Sequence, residues 1–199
     1  KGAVNIRSRN NKSFNEKFYP VYDALKNWSE STSSEGINAV VDGEIVVVND
    51  EGMPDFGDLQ LWRSEADGQL VFYLFDVLWV EGFNVMSLPL LERHQLLQAI
   101  IPAGNNAIKI SEQFKTSGKD FFSLAEQLKL EGIFAKRSDS IYTPGNRSKD
   151  WLKIKTEKRQ EVIIGGYTRN ENTSKKFSAL LLGLFEKGQF NFVGVVGTG

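Results

Sequence analysis

Two short strand-like runs carry charged side chains at a spacing that could hold phosphate groups. The first, "EGIFAK", opens with Glu131, and the second, "WLKIK", contains Lys153 and Lys155. Because side chains alternate along a strand, both lysines should point to the same face as Trp151. Two ammonium groups on one face suit the non-bridging oxygens of a polyphosphate. The pattern equally fits an edge strand that outward lysines protect from aggregation.

Two glutamates lie in runs that otherwise have the composition of buried strands. Glu44 interrupts the valines of "VVDGEIVVV", and Glu131 begins "EGIFAK". A buried carboxylate without a partner is costly, so each is predicted to pair with a cation, bind a metal or bind a sugar hydroxyl. Nucleotide sites use a carboxylate to hold Mg²⁺ near the phosphates. A structural ion pair with a lysine of "WLKIK" is the alternative, and it does not exclude a functional role.

Three other features are weaker candidates for a site. Phe75 in "FYLFDVLW" lies near a strand end, where its ring could stack on a base for about 1–3 kcal/mol, although a phenylalanine is more often a core residue. In "RSRNN", Arg7 and Arg9 share one strand face before an Asn-Asn turn and could contact phosphate or sugar oxygens. The single histidine, His94, is expected to be a surface residue of the helix "LLERHQLL" and not a base.

Composition and charge limit the function classes. The chain has 199 residues with 41% hydrophobic side chains and no cysteine, so thiolate chemistry and disulfides are excluded. No run of about 18 apolar residues and no signal-peptide pattern occur, which predicts a soluble, cytoplasmic protein. The net charge is only −1, but residues 1–19 and 136–159 are mainly basic and residues 30–81 mainly acidic. This segregation fits a basic groove on an acidic body, or simply solvated faces.

The elements that must position these residues are a few strands and helices. Val- and Ile-rich runs predict central strands covered on both faces, and amphipathic spacing predicts the helices. The predicted strands are 37–52 and 70–82, and the predicted helices are 13–28, 88–101 and 120–130. After Lys155, "TEKRQ" is typical of a hinge, and the remaining segments are predicted as strands joined by glycine-containing turns. About 40 residues are too few for a separate core, which indicates the start of a small β-domain.

The motifs occur in an order that resembles a known superfamily. In sequence, "SRN", "DGEIVV", "FDVL", "EGIFAK" and "WLKIK" resemble the covalent nucleotidyltransferases, which comprise ATP-dependent DNA ligases, RNA ligases and mRNA capping enzymes. The wider text, including "IRSRNNKSFNEKF" and "YTPGNRSKDWLKIK", is similar to the ligase domain of bacterial DNA ligase D, an enzyme of non-homologous end joining. The resemblance covers essentially the whole chain.

The fold that this resemblance implies is α+β. It is a DNA ligase/mRNA capping enzyme-like nucleotidyltransferase (ATP-grasp-like) domain with antiparallel sheets, followed by the start of an OB-fold β-barrel. Residues 1–157 would form the adenylation domain, and residues 158–199 the N-terminal part of the OB-fold domain. The family nucleophile is a lysine in a K-x-D-G element, which this sequence does not contain. We therefore expect a sequence truncated at both ends.

The resemblance also implies how the nucleotide is held. Arg9 would contact the nucleotide or the nick phosphate, Glu44 would bind the ribose and support catalysis, and Phe75 would stack on adenine. Arg147, six residues before Lys153, resembles a further basic position of the nucleotide site.

The phosphates and the metal would be served by the two runs described first. In the terms of the resemblance, Glu131 serves the divalent cation, Mg²⁺ or Mn²⁺, while Lys153 and Lys155 hold the α-phosphate of ATP. The implied partners are nicked or broken double-stranded DNA, Ku and other end-joining domains, at the bacterial nucleoid. Two alternatives stay open: a nucleotide- or nucleic-acid-binding module without the catalytic lysine, and an RNA ligase or capping-type nucleotidyltransferase.

Overall fold

The chain folds as two units, Lys1–Lys155 and Thr156–Gly199. The computed structural model describes residues 3–31, 37–49, 54–101, 104–128, 130–145, 148–156, 160–169 and 176–197. Its helices are α1 (Tyr19–Ser31), α2 (Phe56–Leu61), α3 (Leu90–Ile100) and α4 (Gly118–Gln127), with a 3-10 turn at Glu65–Asp67. Strands of the first unit are β1 (Ala39–Val48), β2 (Pro54–Asp55), β3 (Gln69–Val80), β4 (Phe83–Asn84), β5 (Ile108–Ile110), β6 (Gly132–Lys136) and β7 (Trp151–Lys155). The second unit contributes β8 (Ile163–Thr168), β9 (Ala179–Glu186) and β10 (Gln189–Gly197).

The two valine-rich runs form the centre of the main sheet, as their composition predicts. Its strand order is β2-β1-β3-β4, and β5 adds to β3 as a parallel strand while the other pairs are antiparallel. The β1–β3 ladder runs from Ala39–Val80 to Val48–Gln69, with irregularities after Val40 and after Asp42. The second of these lies immediately before Glu44, so the local bend falls beside a candidate site residue.

Helix α1 covers one face of this sheet. Its core-facing residues Val21 and Leu25 and the preceding Phe18 belong to one buried cluster with Leu74 of β3 and Leu97 of α3. The helix begins later than the predicted residue 13, because Pro20 has no N–H group and therefore fits the first turn, where none is needed.

Helix α3 contradicts the surface position expected for His94. This side chain is only 6% exposed, and its Nε2 atom lies 3.4 Å from the carbonyl oxygen of Ser111. The buried residues of α3 are Leu90, Arg93, His94 and Leu97. These four residues have the spacing of a single helix face. His94 is therefore buried because of its position on the helix, although its side chain is polar.

The remaining strands form two small antiparallel sheets. In the first unit β6 pairs with β7, and in the second unit the order is β10-β9-β8. The chain is therefore an α+β protein built mainly from antiparallel sheets, as predicted. The assignment of the second unit to an OB fold stays a prediction.

Candidate functional site

The β6–β7 ladder gathers the charged residues that the sequence singled out. Lys153 Nζ lies 2.8 Å from Glu131 Oε1, and Lys155 Nζ lies 3.8 Å from the same oxygen. The ion pair between a glutamate and "WLKIK" is therefore present. The Glu131 side chain is 49% exposed and that of Lys153 38% exposed, so the pairing itself adds little stability.

The protonation of Glu131 follows from these contacts. Its hydrogen bond from Lys153 is the main factor that lowers its pKa below the ordinary value, and the charges of Lys153 and Lys155 act in the same direction. Glu131 is therefore a carboxylate at neutral pH, held between two ammonium groups.

Glu44 lies on β1 and is electrostatically coupled to this cluster. It pairs in register with Tyr73 of β3, and its side chain is exposed. Partial loss of hydration raises the pKa of Glu44, the charge of Lys153 lowers it, and the charge of Glu131 raises it. Glu44 and Glu131 were expected in buried strands. Both are instead exposed: Glu44 on β1, and Glu131 in the bend just before β6.

A cleft of about 1780 Å³ connects several of these residues. Its lining includes Arg9, Glu44, Phe134, Tyr142, Trp151 and Lys153. Small-molecule sites usually enclose about 300–1,000 Å³, so the cleft is larger than a single small molecule requires. Phe75, Glu131 and Lys155 do not belong to the lining, although Glu131 and Lys155 contact each other at the site. The cleft carries both acidic and basic side chains and is not uniformly basic.

Phe75 is half-buried beside Trp151. The two ring centroids are 5.9 Å apart, and the ring planes meet at 79°. The position agrees with neither a fully buried core residue nor a freely exposed ring. Its proposed contact with a base stays a prediction.

The structure adds Lys136, which the sequence reasoning did not select. Lys136 pairs in register with Trp151, and its Nζ lies 4.1 Å from the Phe75 ring centroid and 3.9 Å from that of Trp151. Burial is the main cause that lowers the pKa of Lys136 to about 8. The alternation of side chains in "EGIFAK" could have predicted that Lys136 lies on the same strand face as Phe134.

Of the two candidate arginines, Arg9 and Arg147, the structure describes Arg9. Arg9 is exposed and lies in the turn of the N-terminal segment, where Arg7 and Ser13 form an isolated bridge. Arg7 and Arg9 both line the cleft. Arg147 lies outside the residues that the structure describes.

Two further side-chain pairs, one fully buried and one half-buried, lie beside the candidate residues. Arg93 donates from Nε to Asp76 Oδ1 at 2.7 Å and from Nη2 to Asp76 Oδ2 at 2.9 Å. Tyr142 donates to Asp42 Oδ2 at 2.6 Å. Partial burial, the hydrogen bond and the Asp42 charge raise the pKa of Tyr142, so the hydroxyl stays protonated at neutral pH. These four residues also escaped the sequence reasoning, because their partners are distant along the chain.

The carboxylates can be tested for their fit to a divalent cation. Within the described part of the chain, no group of three or more His, Asp or Glu residues forms a ready-made metal site. Mg²⁺ is usually held by one or two carboxylates together with substrate phosphates and water. Glu44 and Glu131 provide two coupled carboxylates beside lysines suited to phosphate. They therefore fit a cation that arrives with a nucleotide.

Comparison with known proteins identifies the family. The family model described as "ATP dependent DNA ligase domain" matches residues 1–155, more than half of the chain. The chain belongs to this family. It is also 32% identical over its whole length to the multifunctional non-homologous end joining protein LigD of Mycolicibacterium smegmatis, and 34% identical to the LigD protein of Pseudomonas aeruginosa. The chain spans 25% and 23% of these two relatives.

Solved structures confirm the predicted nucleotidyltransferase fold class. The ligase domain of Mycobacterium tuberculosis LigD is similar with a TM-score of 0.65 and 31% identity, over 99% of this chain and 61% of that domain. A mycobacterial DNA ligase D complexed with ATP and MES gives a TM-score of 0.67 and 30% identity, over 98% and 60% of the two chains. Among the described residues, no helix is long and apolar enough to cross a membrane.

Proposed function

We propose that this chain forms the nucleotide-binding part of an ATP-dependent DNA ligase that acts in non-homologous end joining. The observation that carries the proposal is the contact of Glu131 with Lys153 and Lys155 beside Glu44, in a chain of the ligase domain family. Relatives named as end-joining proteins support the choice of pathway.

In this proposal each candidate residue contacts a different part of the nucleotide. Lys153 and Lys155 hold the α-phosphate, Glu44 binds the ribose, and Phe75 contacts adenine. Arg9 contacts the nucleotide or the nick phosphate, and Arg147 is a further basic contact. A divalent cation, Mg²⁺ or Mn²⁺, held at Glu131 with help from Glu44, would neutralise part of the phosphate charge.

The proposed reaction has three transfers at phosphorus. A lysine amine attacks the α-phosphate of ATP, so that a P–N bond forms and pyrophosphate leaves. The AMP group then passes to the 5′-phosphate of a DNA break, and the 3′-hydroxyl displaces AMP to form the phosphodiester. Fixed ammonium groups near the phosphorus stabilise the charge that develops in each transfer. The attacking lysine would belong to a K-x-D-G element, which the 199 residues do not contain.

The proposal also includes the setting of the reaction. The substrate is nicked or broken double-stranded DNA, Ku and other end-joining domains are the protein partners, and the location is the cytoplasm at the bacterial nucleoid. The second unit, Thr156–Gly199, is proposed to begin an OB-fold domain, and the first unit to be the adenylation domain.

Intact-mass spectrometry tests the activity. We expect ATP with Mg²⁺ to add one AMP group, about 329 Da from the atoms transferred, to a version extended upstream of Lys1 by a K-x-D-G segment. The 199-residue chain should bind ATP without forming this adduct. Replacing the lysine of the added K-x-D-G element by alanine is the matched control, because it removes the amine and leaves the pocket.

The test separates the proposal from its main alternative. If the extended version binds ATP but never carries AMP, the ligase proposal fails and a nucleotide-binding module without catalysis takes its place. The absence of K-x-D-G from the sequence is the observation that keeps this alternative worth testing. An adduct with GTP in preference to ATP would instead indicate a capping-type enzyme.

A further inference from the structure

Lys136 is a charged residue next to the cleft-lining Trp151, and the proposed function assigns it no role. It lies on β6, opposite Trp151 of β7, on the same ladder face as Phe134 and Lys153. Its ammonium group contacts aromatic faces where a carboxylate would be the usual partner. Among the described residues, no oxygen accepts a hydrogen bond from Lys136 Nζ, whereas Lys153 has Glu131.

The contact of Lys136 with two rings has a definite geometry. Its Nζ lies 4.1 Å from the Phe75 centroid and 3.9 Å from the Trp151 centroid, well inside the range of about 6 Å for cation–π attraction. The rings meet almost edge to face at 5.9 Å. A cation that touches both rings restrains rotation of either ring away from the other. Phe75 comes from the main sheet and Trp151 from the two-stranded sheet, so the contact also links the two sheets.

We propose that Lys136 is a positioning residue for the nucleobase: its ammonium group clamps the Phe75 ring against Trp151 and thereby fixes the ring surface that a base stacks on. The inference rests on the proposed function, in which Phe75 contacts adenine. Lys136 acts through Phe75 and not as a third ligand of the phosphates, which Lys153 and Lys155 serve.

The charge of Lys136 depends on groups from every element around it. Burial lowers its pKa to about 8, Asp76 on β3 and Asp42 on β1 oppose this change, and Arg93 on α3 adds to it. Asp76 is engaged by Arg93, and Asp42 accepts a hydrogen bond from the Tyr142 hydroxyl. Lys136 therefore loses its proton near pH 8, and the clamp weakens as the pH rises through that value.

Calorimetric titration of the 199-residue chain with three probes tests this inference. The probes are ATP, adenosine, which has a base without phosphates, and tripolyphosphate, which has phosphates without a base. The variant Lys136→Met keeps the length of the side chain and removes the charge. We expect it to weaken ATP and adenosine binding alike, by about five-fold, and to leave tripolyphosphate binding unchanged. Lys136→Arg keeps a cation for the rings and should restore adenosine affinity to within about two-fold.

A pH series gives a second readout, which a purely structural residue would not show. Adenosine affinity of the unaltered chain should fall between pH 7 and pH 9.5, because Lys136 is losing its proton. It should stay constant over this range in Lys136→Arg, since arginine remains charged. This comparison holds even if Lys136→Met does not fold, which thermal unfolding followed by circular dichroism would reveal.

Each outcome decides a separate question. Equal losses for ATP and tripolyphosphate, with adenosine unaffected, would make Lys136 a phosphate ligand and overturn the clamp. Unchanged adenosine affinity in Lys136→Met, or identical pH profiles for the unaltered chain and Lys136→Arg, would overturn it as well. If the unaltered chain binds neither ATP nor adenosine, the proposed function itself fails, and the inference falls with it.

Discussion

Lys153 acts on both glutamates of the site. It donates a hydrogen bond to Glu131 and also lowers the pKa of Glu44, whereas Lys155 acts only on Glu131 among the two. In the free protein the charge of Lys153 is already partly balanced by Glu131. Under the proposed function, a phosphate that binds Lys153 would weaken its bond to Glu131 and leave that carboxylate more available to a cation.

The difference between the two lysines can be measured in the free protein. In Lys153→Met, we expect the pKa of Glu131 to rise because it loses its hydrogen bond, and the pKa of Glu44 to rise further above its ordinary value because it loses a nearby positive charge. The matched variant Lys155→Met should raise the pKa of Glu131 less and leave that of Glu44 unchanged. A pH titration of the glutamate carboxyl carbons by NMR measures both. Equal effects of the two variants would contradict the distances of 2.8 and 3.8 Å.

At the scale of elements, the sequence predicted those features that depend on local pattern. Central strands β1 and β3 could be predicted from their Val- and Ile-rich runs, and β7 from the alternation of "WLKIK". Helix α2 and strand β5 were not predicted, because six and three residues are too few to show a period. The burial of His94 and the position of Lys136 depend on what packs against α3 and β6, which local pattern does not contain.

Gly132 shows how an element can set the geometry of the site. It opens β6 next to Glu131, with φ of 152°, and pairs in register with Lys155. A Cβ atom at this position would lie 2.2 Å from the backbone oxygen of Ile154 and 2.8 Å from the Cα of Lys155. Only glycine allows the two strands to approach this closely.

We therefore expect Gly132→Ala to reduce the free energy of unfolding by at least about 2 kcal/mol, since backbone atoms of β7 must move. The matched control is Gly118→Ala at the start of α4, where an added Cβ has no neighbour within 4 Å. It should change stability by less than about 0.5 kcal/mol. Urea denaturation measures both variants. A loss in Gly132→Ala as small as that of the control would show that β6 and β7 can separate at little cost.

At the scale of the first unit, Arg93 joins the main sheet, which carries Glu44, to the β6–β7 sheet, which carries Lys153. Its guanidinium group and the Asp76 carboxylate are both fully buried, and the pair links α3 to β3. Nη1 also donates to the carbonyl oxygen of Ser140 at 3.0 Å and to that of Leu88. Ser140 lies between β6 and β7, so one side chain connects the main sheet to the strands that hold Lys153. The sequence showed no sign of this link, because Asp76 and Ser140 are 17 and 47 residues from Arg93.

Removing this link should affect the whole unit. Arg93→Met leaves the Asp76 carboxylate buried without its partner, and we expect a loss of about 3–5 kcal/mol in the free energy of unfolding. Arg63→Met is the matched control: Arg63 pairs with Asp67 at 3.6 Å but is 84% exposed, so its loss should stay below about 1 kcal/mol. In the double variant Arg93→Met, Asp76→Leu neither charge of this pair remains, and part of the stability should return. Urea denaturation of these variants measures the coupling between the two residues. If Arg93→Met lowers the free energy of unfolding no more than Arg63→Met does, apolar packing, and not the contacts of Arg93, holds the main sheet against the β6–β7 sheet.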